Sequence, residues 1–215
     1  MFTGIVSAIG TVDSVEQRGD LRVRIACPYD PASMALGASI ACSGVCLTVV
    51  DRGGAASADG ANTAWFAVDV SGETVARTPA SQWTPGRRLN LEQALKLGDE
   101  LGGHLVTGHV DAVGKVSQLR EEGGSLRLEI VAGADIAPFV AEKGSITVDG
   151  VSLTVNEVAD DPDGDVRFAL NIIPHTAQAT TLGGLSEGDT VNLEIDVLAR
   201  YLKRMQTLSE RASTV

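Results

Sequence analysis

Alternating and β-branched apolar positions run through the chain and are interrupted at short intervals by glycine, aspartate and proline. In the first half, residues 5–12, 21–26, 40–50, 65–70 and 88–91 read as strands, with Asp51-Arg52-Gly53-Gly54 and Thr84-Pro85-Gly86 as turns between them. The second half repeats the scheme, with residues 160–165 as a polar hairpin loop and Gly188-Asp189 before its last strand. Short helical turns are expected over residues 31–36 and 136–142. No helical segment is long enough to join parallel strands, so each half is predicted to be a small antiparallel barrel or sandwich. The period changes only after Asp196. Val197, Leu198, Tyr201, Leu202, Met205 and Leu208 then fall on one stripe of a helix, with Arg200, Lys203 and Arg204 on the other side. That stripe must bury against a barrel or another subunit, and a terminal helix outside the two halves is a natural oligomerisation element.

The halves are copies of one another. TGIVSAIGTV from Thr3 answers TGHVDAVGKV from Thr107, and SIACSGVCLTV from Ser39 answers SITVDGVSLTV from Ser145, with seven of eleven positions identical in the second pair. FAVDVSGET from Phe66 parallels FALNIIPHT from Phe168, and Asn90-Leu91-Glu92 recurs as Asn192-Leu193-Glu194. Two domains of nearly equal length are predicted, residues 1–97 and 98–196, followed by a helix and tail over 197–215. They are joined by LKLGDELGGH at residues 95–104, a glycine-containing joint rather than a long flexible linker.

At 215 residues, 44% hydrophobic and 21% charged, the chain can build two cores of about 100 residues each without staples. A net charge of -11 with no basic cluster argues against nucleic acid and anionic membrane as partners. MFTGIVSAIG lacks the basic and apolar segments of a signal peptide, and nowhere do 18 apolar residues run together. Three cysteines, Cys27, Cys42 and Cys46, form no C-x-x-C pair and point to a reducing, cytoplasmic compartment.

Cys46 has two readings, a small core hydrophobe or a reactive thiol. Its counterpart is Ser152, and thiol and hydroxyl exchange more readily in a pocket than in an apolar core. Ser39 and Ser145 are either turn hydroxyls or pocket groups. An unbroken strand would put Ser39 and Cys46 on opposite faces, so Ser43-Gly44 must bulge or turn if both are to reach one pocket. His104, His109 and His175 lack the paired spacing of zinc ligands and read as hydrogen-bonding or proton-transfer groups, with a satisfied structural histidine as the alternative. Phosphate-binding loops, dinucleotide-binding glycine motifs and a G-x-S-x-G elbow are absent from the sequence.

MFTGIV, the CSGVCLTV and VDGVSLTV pair, LGGHLVTGHVD and the closing VNLEID together resemble riboflavin synthase of the α-chain type, over almost the full length. The resemblance implies two Greek-key β-barrels and a C-terminal helix. It also implies dismutation of two 6,7-dimethyl-8-ribityllumazine molecules, one giving a four-carbon unit to the other, to yield riboflavin and 5-amino-6-ribitylaminouracil. No cofactor or metal is expected. Two identical substrates need two similar pockets that differ in polar detail, and Cys46 facing Ser152, Ser43 facing Asp149, Ile5 facing His109, Glu73 facing His175 and Ala94 facing Asp196 are differences of that kind.

Carried over by position, the resemblance implies that Ser39, Cys46, His109, Ser152, Thr154 and Asp196 are catalytic. Substrate contacts are implied at Gly4, Ile5 and Val6, at Cys46, Leu47 and Thr48, and at Asp69, Val70, Ser71, Gly72, Glu73 and Thr74. In the second half they are implied at Gly108, His109 and Val110, at Lys143, Asp149, Val151, Ser152 and Leu153, and at Leu170, Asn171, Ile172, Ile173, Pro174 and His175. Many members have Asn where this chain has Ser43. The resemblance further implies a homotrimer with each active site between the N-barrel of one subunit and the C-barrel of its neighbour, and it leaves room for association with lumazine synthase. The rival class is a lumazine-carrying antenna protein, which shares the fold but does not turn its ligand over.

Overall fold

The computed structural model describes residues 1–54 and 64–212. The first half comprises β1 (Ala8–Arg18), β2 (Asp20–Ala26), β3 (Ser39–Cys42), β4 (Val45–Gly53), β5 (Trp65–Val70), α1 (Gly72–Arg77) and β6 (Arg88–Gln93). The second comprises β7 (Ala112–Glu122), β8 (Ser125–Ala132), β9 (Ser145–Val148), β10 (Val151–Asp160), β11 (Val166–Ile172), α2 (Pro174–Ala179) and β12 (Thr190–Ile195), and α3 (Val197–Ala212) follows. Each half is a closed six-stranded antiparallel barrel in the order β1-β2-β5-β4-β3-β6, and β7-β8-β11-β10-β9-β12 reproduces it strand for strand. Even the irregularities are duplicated: the register shifts at Val12/Ser14 and Val49/Asp51 recur at Val116/Gln118 and Val155/Glu157.

Alternation builds each core. Val23, Ile25, Phe66, Val68, Val70, Leu89 and Leu91 point into the first barrel, and Leu128, Ile130, Phe168, Leu170, Ile172, Val191 and Leu193 into the second. Residues 40–50, expected as one strand, are two: Ser43 and Gly44 form a tight turn with positive φ, matched by Asp149 and Gly150. Residues 51–54, expected as a turn, largely continue β4. Gly53 pairs with Trp65, and a Cβ at Gly53 would meet the indole ring at 2.6 Å, so this glycine admits an aromatic side chain rather than reversing the chain. The expected helical turns shrink to single 3-10 turns at Pro31–Ser33 and Ala137–Phe139, while the short helices α1 and α2 have no signal in the periodicity.

Strand β1 starts at Ala8 rather than at residue 5, because the preceding segment leaves its own barrel. Phe2 pairs with Val106, and Val6 packs against the second core, while Val110 packs against the first. The turns Ser43-Gly44 and Asp149-Gly150 abut where the barrels meet. Asn90 Nδ2 donates to the Asp149 carbonyl at 2.9 Å, and Asn192 Nδ2 donates to the Ser43 carbonyl at 2.8 Å. The joint is therefore reciprocal, close to twofold.

Helix α3 is turned the opposite way to a surface helix. Its half-buried positions are Val197, Ala199, Arg200, Lys203 and Thr207, whereas Leu198, Tyr201, Leu202 and Met205 are each about two-thirds exposed. The apolar stripe covers neither barrel of its own chain.

Candidate active site

Two buried carboxylates shape the clefts. Glu92 accepts hydrogen bonds from the Thr3 N–H, the Thr3 hydroxyl and the Gly4 N–H. Glu194 does the same for Thr107 and Gly108, and adds the His109 N–H. Burial raises both carboxyl pKa values above the ordinary range, and these hydrogen bonds oppose the rise. Each glutamate thus clamps the Thr-Gly segment that precedes its own barrel and presses it onto the other. Gly4, at φ +75°, lies on Ser152, whose N–H donates to the Gly4 carbonyl at 2.8 Å. Gly108, at φ +79°, lies on Cys46, whose N–H donates to the Gly108 carbonyl at 2.8 Å.

The first cleft, about 270 Å³, is lined by Val45, Cys46, Glu73, Thr74, Arg77, Thr78, Gly108, His109 and Val110. It brings together the expected residues of one half with the histidine of the other. Cys46 and Thr48 point out of the barrel while Leu47 points into the core. Cys46 packs instead with Phe2, Ala41 and Val106, so it is not a residue of either barrel core. Ser39 pairs with Thr48 across β3 and β4 and lines a small depression of about 60 Å³ with Ala94 and Lys96, apart from the Cys46 cleft. At the mouth, Asp69 is exposed and held by Arg22 in a two-point ion pair, Ser71 caps α1 by accepting from the Thr74 N–H, and Glu73 pairs with Arg77. Gly72 is the first residue of α1.

In the second half, Ser152 is half-buried and Thr154 exposed on the same face of β10, with Leu153 between them. Gly4 lies over this face, while exposed Ile5 lines a cavity of about 560 Å³ with Tyr29, Glu92, Leu95 and Gly102. His104 Nδ1 is 2.7 Å from Ser152 Oγ, a contact that sequence reasoning did not single out. Asn171, Ile173, Pro174 and His175 are exposed at the end of β11 and the start of α2. Asp196 caps α3, its carboxylate accepting from the Leu198 N–H at 2.9 Å, and its charge acts on His104. Lys143 is exposed at φ +63°, its N–H bonded to the Val155 carbonyl.

Several of the expected substrate contacts are buried in this structure, Leu47 and Val151 at 6% and 5% exposure among them. Val70, Leu170 and Ile172 are 0% exposed, because strand alternation turns them inward and their neighbours Asp69, Asn171 and Ile173 outward. They present no surface to a ligand. Asp149 is 4% exposed in the turn between the barrels, where Oδ1 accepts from the Asn192 N–H at 2.8 Å and burial pushes its pKa up to about 7. Ser43 holds the equivalent place, its Oγ accepting from the Asn90 N–H. The Ser43/Asp149 difference therefore belongs to the barrel joint rather than to a cleft. Among the described residues, no three histidine, cysteine or carboxylate side chains gather as for a metal ion.

The lumazine binding domain family matches the chain twice, over residues 3–94 and 107–196. The chain is 47% identical to a riboflavin synthase of Brucella abortus (strain 2308), covering 95% of this chain and 98% of the relative. It is 45% identical to the riboflavin synthase of Mycobacterium tuberculosis (strain CDC 1551 / Oshkosh), with coverages of 95% and 98%. Among solved structures, LumP complexed with riboflavin superposes with a TM-score of 0.76 at 25% identity, covering 91% of this chain and 99% of that one.

Proposed function

The chain belongs to the riboflavin synthase family, with the lumazine-binding domain present twice, and from this premise we propose that it converts two molecules of 6,7-dimethyl-8-ribityllumazine into riboflavin and 5-amino-6-ribitylaminouracil. The observation that carries the reading is the exchange of the Thr-Gly segments. The Cys46 cleft is completed by Gly108, His109 and Val110 of the other repeat, and Gly4 is seated on Ser152 in the same way, so the duplication yields two equivalent positions whose reactive groups differ, Cys46 beside His109 in one and Ser152 beside His104 in the other. Two copies of one substrate with unlike fates call for that arrangement.

In this reading Cys46 and Ser152 act at equivalent points of the two clefts, a thiol and a hydroxyl able to add to a ring carbon or relay a proton. His109, Thr154, Ser39 and Asp196 complete the set, and the remaining exposed contacts hold the pteridine rings and ribityl chains. The two clefts face one another across subunits of a homotrimer in the cytoplasm, a reading supported by the outward apolar stripe of α3 and by three free cysteines. None of the described helices is long and apolar enough to cross a membrane.

The test is the purified protein with 6,7-dimethyl-8-ribityllumazine and nothing else. Riboflavin fluorescence should grow with time at a rate proportional to enzyme. Tight lumazine fluorescence without product would instead identify an antenna protein.

A further inference from the structure

Gly102 and Gly103 carry the chain from one barrel to the other directly over the start of β10. A Cβ on Gly103 would stand 2.1 Å from the Thr3 carbonyl oxygen and 2.9 Å from Ser152 Oγ, so only glycine permits the approach. The next residue is thereby lowered onto the strand. The His104 N–H donates to the Thr3 carbonyl at 3.2 Å, its Nδ1 lies 2.7 Å from Ser152 Oγ, and its Nε2 lies 3.1 Å from Thr147 Oγ1. Thr147 is buried and sits directly opposite Ser152 in the β9–β10 pair. A buried hydroxyl, an imidazole and a half-exposed hydroxyl thus form one line ending at the outer face of β10.

The first half has nothing of the kind. Ala41 takes the place of Thr147 opposite Cys46, and among the described residues no side chain hydrogen-bonds the Cys46 thiol. Burial holds the His104 pKa below its ordinary value, the Asp196 charge opposing, so the ring is neutral at pH 7 and offers one nitrogen as acceptor.

We propose that His104, acting through Ser152, receives the proton that the bound ligand loses in the second-half cleft. The proposal rests on the riboflavin synthase reading, in which a ring methyl of one lumazine must be deprotonated. Ser152 Oγ takes the methyl proton as its own hydroxyl proton passes to His104 Nδ1. The C–H electron pair stays on the ligand, delocalised into the ring. Serine ends neutral, and histidine carries the positive charge near Asp196 while Nε2–H donates to Thr147. His104 does not touch the ligand; it is a positioning residue that aims the serine hydroxyl and accepts its proton.

The deciding variant is His104→Asn, which sets an amide close to the Nδ1 position and can keep the bond to Ser152 but cannot be protonated. Its kcat should fall on the order of 100-fold, with KM and the affinity for a non-reacting lumazine analogue within about threefold. His104→Asn combined with Ser152→Ala should be no slower than Ser152→Ala alone, since both remove one relay. Added imidazole should restore part of the rate to His104→Ala, which a purely structural histidine would not allow. Full kcat in His104→Asn, or penalties that multiply in the double variant, would overturn the proposal while leaving the family reading intact. A parent enzyme that makes no riboflavin would overturn that reading and the proposal with it.

Discussion

Gly108 lies so close to Cys46 that a Cβ built on it would stand 2.6 Å from the cysteine Cβ, and Gly4 repeats the relation with Ser152 at 2.5 Å. The chain segment that carries His109 is therefore seated on the backbone and Cβ of Cys46, and the seat tolerates no side chain. Replacing Gly108 by alanine should destabilise the protein by about 2–4 kcal/mol, from the positive φ and the overlap together, and should displace His109 from the cleft. Gly19 is the control: it also has positive φ but open space around the added carbon, so Gly19→Ala should cost only about 1 kcal/mol. Denaturant midpoints beside riboflavin formation would check both, and equal costs at the two sites would show that the close approach is unimportant.

Cys46 separates its two sequence readings cleanly now that it is seen on the outer face of β4. Cys46→Ser should change stability by less than about 1 kcal/mol, since no barrel core loses a side chain, while turnover falls by roughly tenfold or more as the weaker nucleophile and proton donor replaces the thiol. Thermal melting and a rate measurement on the same preparation test this. A large stability loss with normal turnover would return Cys46 to a structural role.

How far the sequence reveals this site follows from what a repeat can and cannot display. Strand positions are visible because period-two alternation is a local signal, whereas the turn at Ser43-Gly44 is hidden inside residues 40–50, which read as one strand. Glu92 and Glu194 stood in plain view as the recurring Asn-Leu-Glu triplet, a polar pattern kept inside a strand, but their task of clamping a segment about 90 residues away is set by barrel closure. His104 reads from sequence only as a hydrogen-bonding, proton-transfer or structural histidine, because its meeting with Ser152 depends on the exchanged Thr-Gly segments, a tertiary event. The family resemblance implies a ligand contact at Asp149, whereas the reversal at positive φ puts its side chain in the barrel joint.

Asp149 makes the joint sensitive to pH. Its folded-state pKa of about 7 lies above the ordinary 3.8, so between these values the folded protein holds a proton that the unfolded chain has released. Stability from this group is thus full below about pH 4 and is lost as pH rises toward 7, by about 4 kcal/mol in all. Asn keeps the acceptor for the Asn192 N–H without the charge and tolerates the positive φ. Asp149→Asn should therefore be distinctly more stable than the parent at pH 8 and nearly equal to it at pH 4.5. Urea midpoints at the two pH values measure the difference, and a gap that does not change with pH would contradict the assignment.

The outward stripe of α3 leads to the last prediction. Leu198, Tyr201, Leu202 and Met205 face away from the barrels while Arg200 ties the base of the helix to Asp111, an ion pair that orients the helix without covering its apolar side. A contiguous apolar face of this size on a single chain is a liability in water unless a partner covers it, and symmetry mates of the same helix offer an equivalent stripe. Both barrels close without α3, and their cores contain none of its stripe. Ending the chain after Asp196 should therefore leave folded barrels that still bind a lumazine analogue but sediment and scatter as monomers. Turnover should fall by roughly 100-fold or more if, as proposed, each reaction draws its clefts from two chains. Light scattering with an activity assay on the truncated and full-length proteins tests the point: a full-length trimer and an inactive truncated monomer are expected, and a truncated monomer with normal turnover would place the whole reaction within one chain.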